Sequence, residues 1–350
     1  MPYARKCSFV HKKCFAFPFV PDPSLKRPVV GCDPASNPWT TAPTFINKPT
    51  PITGMQLTFL GTACMMPTKD RNHTAVLLEF NQDGLLFDCG EGTQRQLRMA
   101  GIRPTRITKL LISHWHGDHI LGLPGLLQTL GASDYQETFK IFGPEGSKRF
   151  YKNMTEWFFF DRNINVEVHE VKTGTFFETE KYMLEALPLD HGIPTIGFRF
   201  IEKDRKRIKV DYVKKLGIPD GPLLGKLQSG KSITWKGKKV LPSDATYDVK
   251  GKVISYITDT GYCKNCIELA KDADVLISEG TFGKEHQEKA DAYGHLSVED
   301  AAKIANQAGA KKLILTHFSQ RYKDTTKLAE DAKTLFPNTT LAHDLMKVRV

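Results

Sequence analysis

Three histidines and an aspartate fall within six consecutive positions, His114-Trp115-His116-Gly117-Asp118-His119, directly after the apolar stretch Leu110-Leu111-Ile112. The chain has only 11 histidines, so three of them at this spacing argue against a loop that is histidine-rich by chance. Imidazole nitrogens and carboxylate oxygens are the donors that zinc takes, and two such ions can hold one activated water between them. Residues 107–112 read as a buried strand, and the leucine-rich stretch 121–127 reads as a helix entry. The cluster is therefore expected on a strand-to-helix loop, which requires a sheet with helices packed on it. His169, after Val166 and Val168, reads instead as a satisfied core histidine.

The pattern downstream and upstream agrees with an α/β fold. Residues 56–61 form a strand that runs into a glycine turn, and residues 75–79 and 84–87 pair as a hairpin around Asn81-Gln82-Asp83-Gly84. Further strands are expected at 139–142, 166–171, 182–187, 197–201, 253–257, 275–277 and 313–315. Helices are expected from 146 onward and at 266–272, 297–308 and 325–335. Strands interspersed with helices, ending in a βα unit, fit two sheets packed inside two helical layers.

His-x-His-x-Asp-His resembles the signature of the metallo-β-lactamase superfamily, whose fold is that αββα sandwich. The resemblance implies that His114 and His116 hold one metal ion, and Asp118 and His119 a second. In the order it leads one to expect, His191, Asp259 and His317 each follow an apolar strand. They complete two sets: His114, His116, His191 and Asp259; and Asp118, His119, Asp259 and His317. Asp259 would bridge, since a carboxylate spans ions about 3.5–4 Å apart. Taken singly, Asp259 between Thr258 and Thr260 also reads as a turn or cap residue. Asp190 is left out, because neighbours in a strand point to opposite faces.

Composition narrows the partner. The net charge is +10, with a pI near 9.1, which suits an anionic partner such as nucleic acid. Residues 201–252 alone carry 14 Lys and Arg against six acids, a surplus of +8, together with Gly217, Pro219, Gly221, Pro222, Gly225 and Gly230. Such an insertion is expected not to build a core easily, and its lysines suit phosphates. No apolar run approaches the roughly 18 residues of a membrane span, so no membrane partner is expected. Seven scattered cysteines argue against a disulfide framework and for a reducing compartment. Cys263-Lys264-Asn265-Cys266 lacks a second pair and reads as structural ahead of a zinc-binding or redox pair. Residues 1–54 hold ten of the 20 prolines and only two acids, and are expected to form an extended or disordered arm ahead of a catalytic domain at 55–350. A cytoplasmic protein is expected, with an organellar or nuclear one if that arm is a targeting segment.

Motifs outside the histidine cluster resemble ribonuclease Z, the family that removes 3′ trailers from precursor tRNA. Pro67-Thr68-Lys69-Asp70-Arg71-Asn72 matches its P-x-K-x-R-N loop, and Phe87-Asp88-Cys89-Gly90-Glu91-Gly92-Thr93-Gln94 the stretch before the first metal strand. Leu315-Thr316-His317-Phe318-Ser319-Gln320-Arg321-Tyr322 matches the last metal motif. Residues 217–227 resemble the glycine-proline motif of a tRNA-binding exosite. Two departures stand out: the family's His-Glu-Ala-Thr appears as Ser278-Glu279-Gly280-Thr281, and its His-Ser-Thr as His295-Leu296-Ser297. The resemblance implies two Zn²⁺ per chain, a homodimer, and cleavage that leaves a tRNA 3′-hydroxyl and a 5′-phosphorylated trailer. It makes Asp118 the base, and His295 oriented by Glu279 the acid. Pro67, Lys69, Arg71 and Asn72 are expected at the acceptor end; Gly221, Pro222, Gly225 and Lys226 are expected on the tRNA body, in an inserted arm at about 202–252. Arg321 is either a phosphate ligand or a salt-bridge partner, and His73 an exposed, idle ring. The competing readings are another hydrolase of this fold (a phosphodiesterase, lactonase or thioesterase) and an inactive RNA-binding member.

Overall fold

The computed structural model describes residues 54–350 except residue 134 and residues 158–163. The expected N-terminal extension, residues 1–54, lies outside the described residues apart from Gly54.

Two seven-stranded sheets form the body. In the first the order is Lys347–Arg349, Met55–Gly61, Ala75–Phe80, Asp83–Phe87, Lys109–Leu111, Thr138–Gly143, Asn165–Glu170. In the second it is Thr339–Leu341, Leu313–Thr316, Val275–Glu279, Val253–Ile257, Pro194–Glu202, Tyr182–Asp190, Gly174–Glu178. The central strands are buried on both faces, and the period of two along each strand distributes their side chains between two cores. From Ala75–Phe80, Val76, Leu78 and Phe80 enter the core between the sheets, while Ala75 and Leu77 enter the outer core under the helices Thr93–Met99 and Leu123–Gly131. The second sheet does the same: Ile254, Tyr256, Ile277 and Ile314 face the first sheet, while Ile257, Leu276, Leu313 and Leu315 face the helices Lys264–Ala270, Val298–Gln307 and Thr326–Leu335. Leu123, Leu126, Leu127 and Leu130 supply the helical stripe on one side. This is the αββα sandwich.

The hairpin forms as expected, between Ala75–Phe80 and Asp83–Phe87. Of residues 107–112 only Lys109–Leu111 pairs as strand. Sequence periodicity misses the edge strands Gly174–Glu178, Thr339–Leu341 and Lys347–Arg349; the last two have only three residues each, too few to display a period. His169 is a correction: its strand lies at the sheet edge, and its half-exposed ring sits 3.3 Å from Glu167 and stacks on Phe142.

The basic insertion leaves the second sheet after Pro194–Glu202 and returns at Val253–Ile257, which pairs directly with that strand. Its stem is the ladder Arg205–Ile208 with Thr246–Val249. Contrary to the expectation from its composition, it has a core: Val213, Ile218, Leu227, Ile233, Val240 and Ala245 are all buried together. Three short helices and the hairpin Ile233–Trp235/Lys238–Val240 each contribute one or two apolar residues, too sparse for any one element to show a pattern. Its ion pairs are at the stem: Arg205 with Glu202, Lys206 with Asp248 and Lys250 with Asp204. Lys214, Lys215, Lys226, Lys231, Lys238 and Lys239, farther along, are exposed and have no ion pair among the described residues.

Candidate metal centre

Strand ends converge on one point. Lys109–Leu111 runs through Ile112 into Ser113 and the histidine cluster; Tyr182–Asp190 ends beside His191, Val253–Ile257 ends just before Asp259, and Leu313–Thr316 ends at His317. The last two strands flank Val275–Glu279 in parallel register, so the ends that lead to Asp259 and His317 share an edge. Asp259, His317 and Asp88 turn inward from left-handed backbone, φ 47°, 59° and 56°, and Met65, φ 54°, turns its backbone N–H to Asp118 while its side chain is exposed. Four of the eight described non-glycine residues with positive φ are therefore at this site. Each carries local strain of order 1–2 kcal/mol, held by the surrounding sheets. Gly90 closes the arrangement from below: a Cβ there would lie 2.4 Å from the His73 Cβ and 2.5 Å from the Asp118 carbonyl oxygen.

All seven residues expected as ligands come together. His114, His116, His191 and Asp259 form one group of donor atoms, and Asp118, His119 and His317 another, each within 4.8 Å. Asp259 faces both: its Oδ2 lies 3.7 Å from His114 Nε2 and 3.6 Å from His191 Nε2, and its Oδ1 lies 3.4 Å from His119 Nε2 and 3.2 Å from His317 Nε2. Asp118 Oδ2 is 3.5 and 3.6 Å from the same two Nε2 atoms. It also accepts a hydrogen bond from the Met65 backbone N–H at 2.7 Å.

Hydrogen bonds on the far sides of the rings assign the tautomers. His119 Nδ1–H donates to Asp88 Oδ2 at 2.9 Å, His191 Nδ1–H to the Gly294 carbonyl at 2.8 Å, and His114 Nδ1–H to Ser113 Oγ at 2.9 Å. His317 Nδ1–H donates to Thr281 Oγ1 at 3.0 Å, leaving that hydroxyl's own proton for Glu279 Oε2 at 2.5 Å. Each of these four rings therefore turns its Nε2 lone pair to the centre, the arrangement that orients metal ligands. The Nε2 atoms of His119 and His317 lie 3.2 Å apart among carboxylates. A cation between them satisfies both lone pairs. Asp88 is the buried anchor of this outer ring. Its carboxylate also accepts the Ser113 N–H at 2.8 Å, the Ser113 hydroxyl at 2.9 Å and the Tyr256 hydroxyl at 2.8 Å.

The electrostatics point the same way. Burial, reinforced by the neighbouring rings, holds His114 and His116 neutral, their proton affinity below the ordinary imidazole range. Burial alone would discharge Asp118 and Asp259, but the adjacent histidines outweigh it and keep both carboxylates ionised. Burial likewise disfavours charge on His119 and His317, yet Asp259 and its neighbours raise the proton affinity of both. A buried site of this negative potential binds a cation. The donor set fits a metal ion.

Beside this cluster stands a second pair. His295 Nδ1–H donates to Glu279 Oε2 at 3.0 Å, and Glu279 Oε1 accepts the Thr260 N–H at 2.8 Å. Burial opposes charge on His295, but Glu279 prevails and its pKa is pushed up to about 9. The two departures from the family's motifs are absorbed by packing. Ser278 is buried and donates to the Glu279 carbonyl at 3.0 Å, and Leu296 lies in the core beneath the helices. At Gly280 a Cβ would meet Val298 Cγ1 at 2.9 Å and Leu315 Cδ2 at 3.2 Å.

The centre opens into a cleft of about 740 Å³ lined among others by His116, Asp118, His191, Asp259, His295 and Arg321. Arg321 makes no ion pair among the described residues; its Nε donates to Ser319 Oγ at 3.1 Å and its guanidinium lies over the Phe282 ring. In the loop 67–72, Pro67 and Lys69 are exposed, Lys69 beside Asp70. Arg71 and Asn72 are turned inward instead: Arg71 donates to the carbonyls of Tyr322 and Ser319, and Asn72 Nδ2 to the Glu91 carbonyl at 2.7 Å. They bind the loop to the body. His73 is buried rather than exposed, with Nε2 3.1 Å from the Met65 carbonyl oxygen. Gly221, Pro222, Gly225 and Lys226 are all exposed at the start of the arm helix Pro222–Gln228 and do not join the metal cluster. Asp88, Ser113, Tyr256 and Thr281 complete the site through hydrogen bonds that no spacing in the sequence signals; only the unusual turn Asp88-Cys89-Gly90-Glu91-Gly92 marks the first of them.

Residues 55–156 match the family model described as anti-Pycsar protein Apyc1, and residues 245–318 match the beta-lactamase superfamily domain. The chain is 39% identical over 297 residues to the ribonuclease Z of Methanothermobacter thermautotrophicus, covering 85% of this chain and 97% of that one. It is 40% identical over 300 residues to the ribonuclease Z of Bacillus cereus, covering 83% and 98%. Among solved structures it resembles the short form of human tRNase Z, at 29% identity and a TM-score of 0.62 over 84% of this chain and 99% of the other. The metallo-β-lactamase fold protein YhfI of Bacillus subtilis, at 19% identity and a TM-score of 0.62, shares the fold. With the metal-binding sandwich in place and relatives aligned almost end to end, the chain belongs to the ribonuclease Z family.

Proposed function

We propose that this chain is a zinc-dependent endoribonuclease that cuts the 3′ trailer from precursor tRNA, leaving a tRNA 3′-hydroxyl and a 5′-phosphorylated trailer. The observation that carries the substrate is the arm, whose exposed Gly221, Pro222, Gly225 and unpaired lysines offer close backbone approach and phosphate attraction remote from any core function. Gly225 has nothing among the described residues within 4 Å of where a Cβ would stand, so no packing seen among them requires a glycine there. The free thiols of Cys64, Cys89, Cys263 and Cys266 suit a reducing compartment such as the cytoplasm.

Two Zn²⁺ ions are the natural occupants. Tetrahedral bonds of about 2.0–2.1 Å place ligand atoms roughly 3.3 Å apart, and the donor separations around Asp259 run from 3.2 to 3.7 Å. His114, His116, His191 and Asp259 would hold one ion, and Asp118, His119, His317 and Asp259 the other. When bound, the ions supply an activated water and positive charge for the phosphoryl oxygens. Asp118, kept ionised by its histidine neighbours, is the acceptor that orients or deprotonates the attacking water. His295 stays protonated at neutral pH through Glu279 and gives its proton to the departing 3′-oxygen. Arg321, without an acid partner among the described residues, receives a backbone phosphate at the cleft, and Pro67 and Lys69 flank the acceptor end. Arg71 and Asn72 serve by holding that loop. Membership in the family supports a homodimer in which the arm of one subunit serves tRNA bound at the other; light scattering of the purified protein tests it.

The decisive experiment incubates purified, zinc-loaded protein with a 3′-extended precursor tRNA and maps both new ends. One cut after the discriminator nucleotide, abolished in the His114→Ala/His116→Ala variant, is expected. Cleavage that ignores the acceptor stem, or that survives the double substitution, refutes the reading.

A further inference from the structure

Behind the metal centre lies a pair of thiols that the hydrolytic chemistry does not use. Cys263 and Cys266 are free, with Sγ atoms 3.4 Å apart. Cys263 is the N-cap of the helix Lys264–Ala270 and is half-buried; Cys266, in the first turn, is fully buried. The sulfurs touch a specific piece of backbone. Thr260 Oγ1 lies 4.0 Å from each of them, and the Gly261 carbonyl oxygen 3.9 Å from the Cys266 sulfur.

Thr260 and Gly261 join the two ligand loops to each other. Thr260 Oγ1 accepts the Asp190 N–H at 3.1 Å, and the Gly261 N–H donates to the Asp190 carbonyl at 2.7 Å. His191 follows Asp190 in the chain, and Asp259 precedes Thr260. The Thr260 N–H is also one of the bonds that hold Glu279. From the other end of the motif, Asn265 Nδ2 donates to the Pro188 carbonyl at 2.8 Å, three residues before His191. The dithiol thus sits under the backbone that positions one ligand of the first metal group, the bridging carboxylate and the partner of His295.

We propose that Cys263 and Cys266 form a reversible dithiol–disulfide couple, oxidised by small-molecule disulfides of the glutathione type, and that oxidation slows hydrolysis by displacing the Thr260–Gly261 segment. A disulfide bond is about 2.05 Å long, so the sulfurs must approach by a further ~1.3 Å. In a packed interior that movement is passed to the atoms in contact. Misplacing a reacting constellation by about 1 Å costs as much as 10²-fold in rate.

The chemistry balances. The Cys263 thiolate attacks one sulfur of the external disulfide, forming a mixed disulfide and releasing one thiolate. Cys266, losing its proton to solvent, then attacks the Cys263 sulfur, closes the internal bond and expels the second thiolate. Two protein thiols are oxidised and one small disulfide is reduced to two thiols. The roles follow from position: Cys263 is the more accessible, and its contact with the Cys266 sulfur together with backbone N–H groups at the helix start lowers its pKa. The same contact and burial raise that of Cys266. A more exposed, more acidic thiol beside a buried resolving one is the arrangement of a redox-responsive pair.

The test exposes zinc-loaded protein to graded mixtures of glutathione and glutathione disulfide. The disulfide is mapped by mass spectrometry of the peptide carrying both cysteines, and initial rates are read on precursor tRNA and on bis(4-nitrophenyl) phosphate. Expected is one internal disulfide, a fall in kcat of about tenfold or more on the substrates that are cleaved, and full recovery with dithiothreitol. Cys266→Ser should stop at the mixed disulfide on Cys263, and Cys263→Ser should remain reduced and keep its rate in oxidised glutathione. A peptide that stays reduced in glutathione disulfide overturns the proposal, as does an internal disulfide that leaves both rates unchanged. So does inhibition that persists in Cys263→Ser. The mapped disulfide is independent of the substrate, so failure on precursor tRNA alone would count against the function proposed above and not against the couple.

Discussion

Asp88→Asn isolates the outer ring of hydrogen bonds, because it preserves the shape of a fully buried side chain while changing which atoms accept. The carboxylate accepts four bonds: the Ser113 N–H on Oδ1, and the Ser113 hydroxyl, the His119 Nδ1–H and the Tyr256 hydroxyl on Oδ2. With an amide, one of these positions becomes a donor. If Nδ2 faced the Ser113 N–H, two donors would oppose each other in the interior. The amide therefore places its oxygen there and its NH₂ toward His119. Ser113 and Tyr256 can reverse their hydroxyls, but His119 can adapt only by moving its proton to Nε2, the atom that faces Asp118, Asp259 and His317. A ring protonated at Nε2 cannot ligate. Loss of such a supporting bond costs about 10–100-fold in metal affinity or activity, about 1.4–2.7 kcal/mol at ~1.36 kcal/mol per factor of ten. The assay is the initial rate on a 3′-extended precursor tRNA across a zinc titration, with bound metal measured by elemental analysis after gel filtration. Expected is a zinc requirement raised by one to two orders of magnitude, with Tyr256→Phe, which removes one of four donors and no tautomer, falling well short of that. An Asp88→Asn protein with wild-type rate and metal content at limiting zinc would refute the tautomer argument.

Replacing Lys214, Lys215, Lys226 and Lys231 by alanine should raise KM for precursor tRNA and flatten its dependence on salt, with the rate on bis(4-nitrophenyl) phosphate unchanged; equal loss on both substrates would assign the arm a structural role. Gly280→Ala restores the residue of the family's motif but drives a Cβ to 2.9 Å from Val298; a lower thermal midpoint, equivalent to about 1–3 kcal/mol, is expected in melting experiments. Ser297→Ala removes the hydroxyl that accepts the Asp300 N–H at 3.1 Å at the start of Val298–Gln307; urea titration should show a loss of about 1 kcal/mol.

The cluster of seven imidazoles and carboxylates was legible because its members lie just beyond the ends of recognisable apolar strands and carry side chains with few other reasons to be there. The αββα layering was legible for a related cause: a strand buried on both faces reads as a continuous apolar run, and several such runs alternating with helical stripes admit few architectures. His169 was misread because a local pattern does not say whether its strand is central or at an edge. The arm's core was missed because Val213, Ile218, Leu227, Ile233, Val240 and Ala245 come from separate short elements. Arg71 and Asn72 look like substrate contacts in a motif, yet the carbonyls of Tyr322, Ser319 and Glu91 engage both.

What the chain's own order of residues determined is the chemistry: imidazoles and carboxylates at His114, His116, Asp118, His119, His191, Asp259 and His317, a surplus of lysine in one insertion, and two cysteines a helical turn apart. Those are properties of side chains, and they survive being read one after another. The tertiary structure decided which lone pairs face inward, that Asp88 governs His119 from a position 31 residues away, and that Cys263 and Cys266 lie under the peptides joining His191 to Asp259. The reason is physical: hydrogen bonds and packing act through space, between atoms that the sheets bring to one edge, and residue spacing along the chain carries no record of those distances.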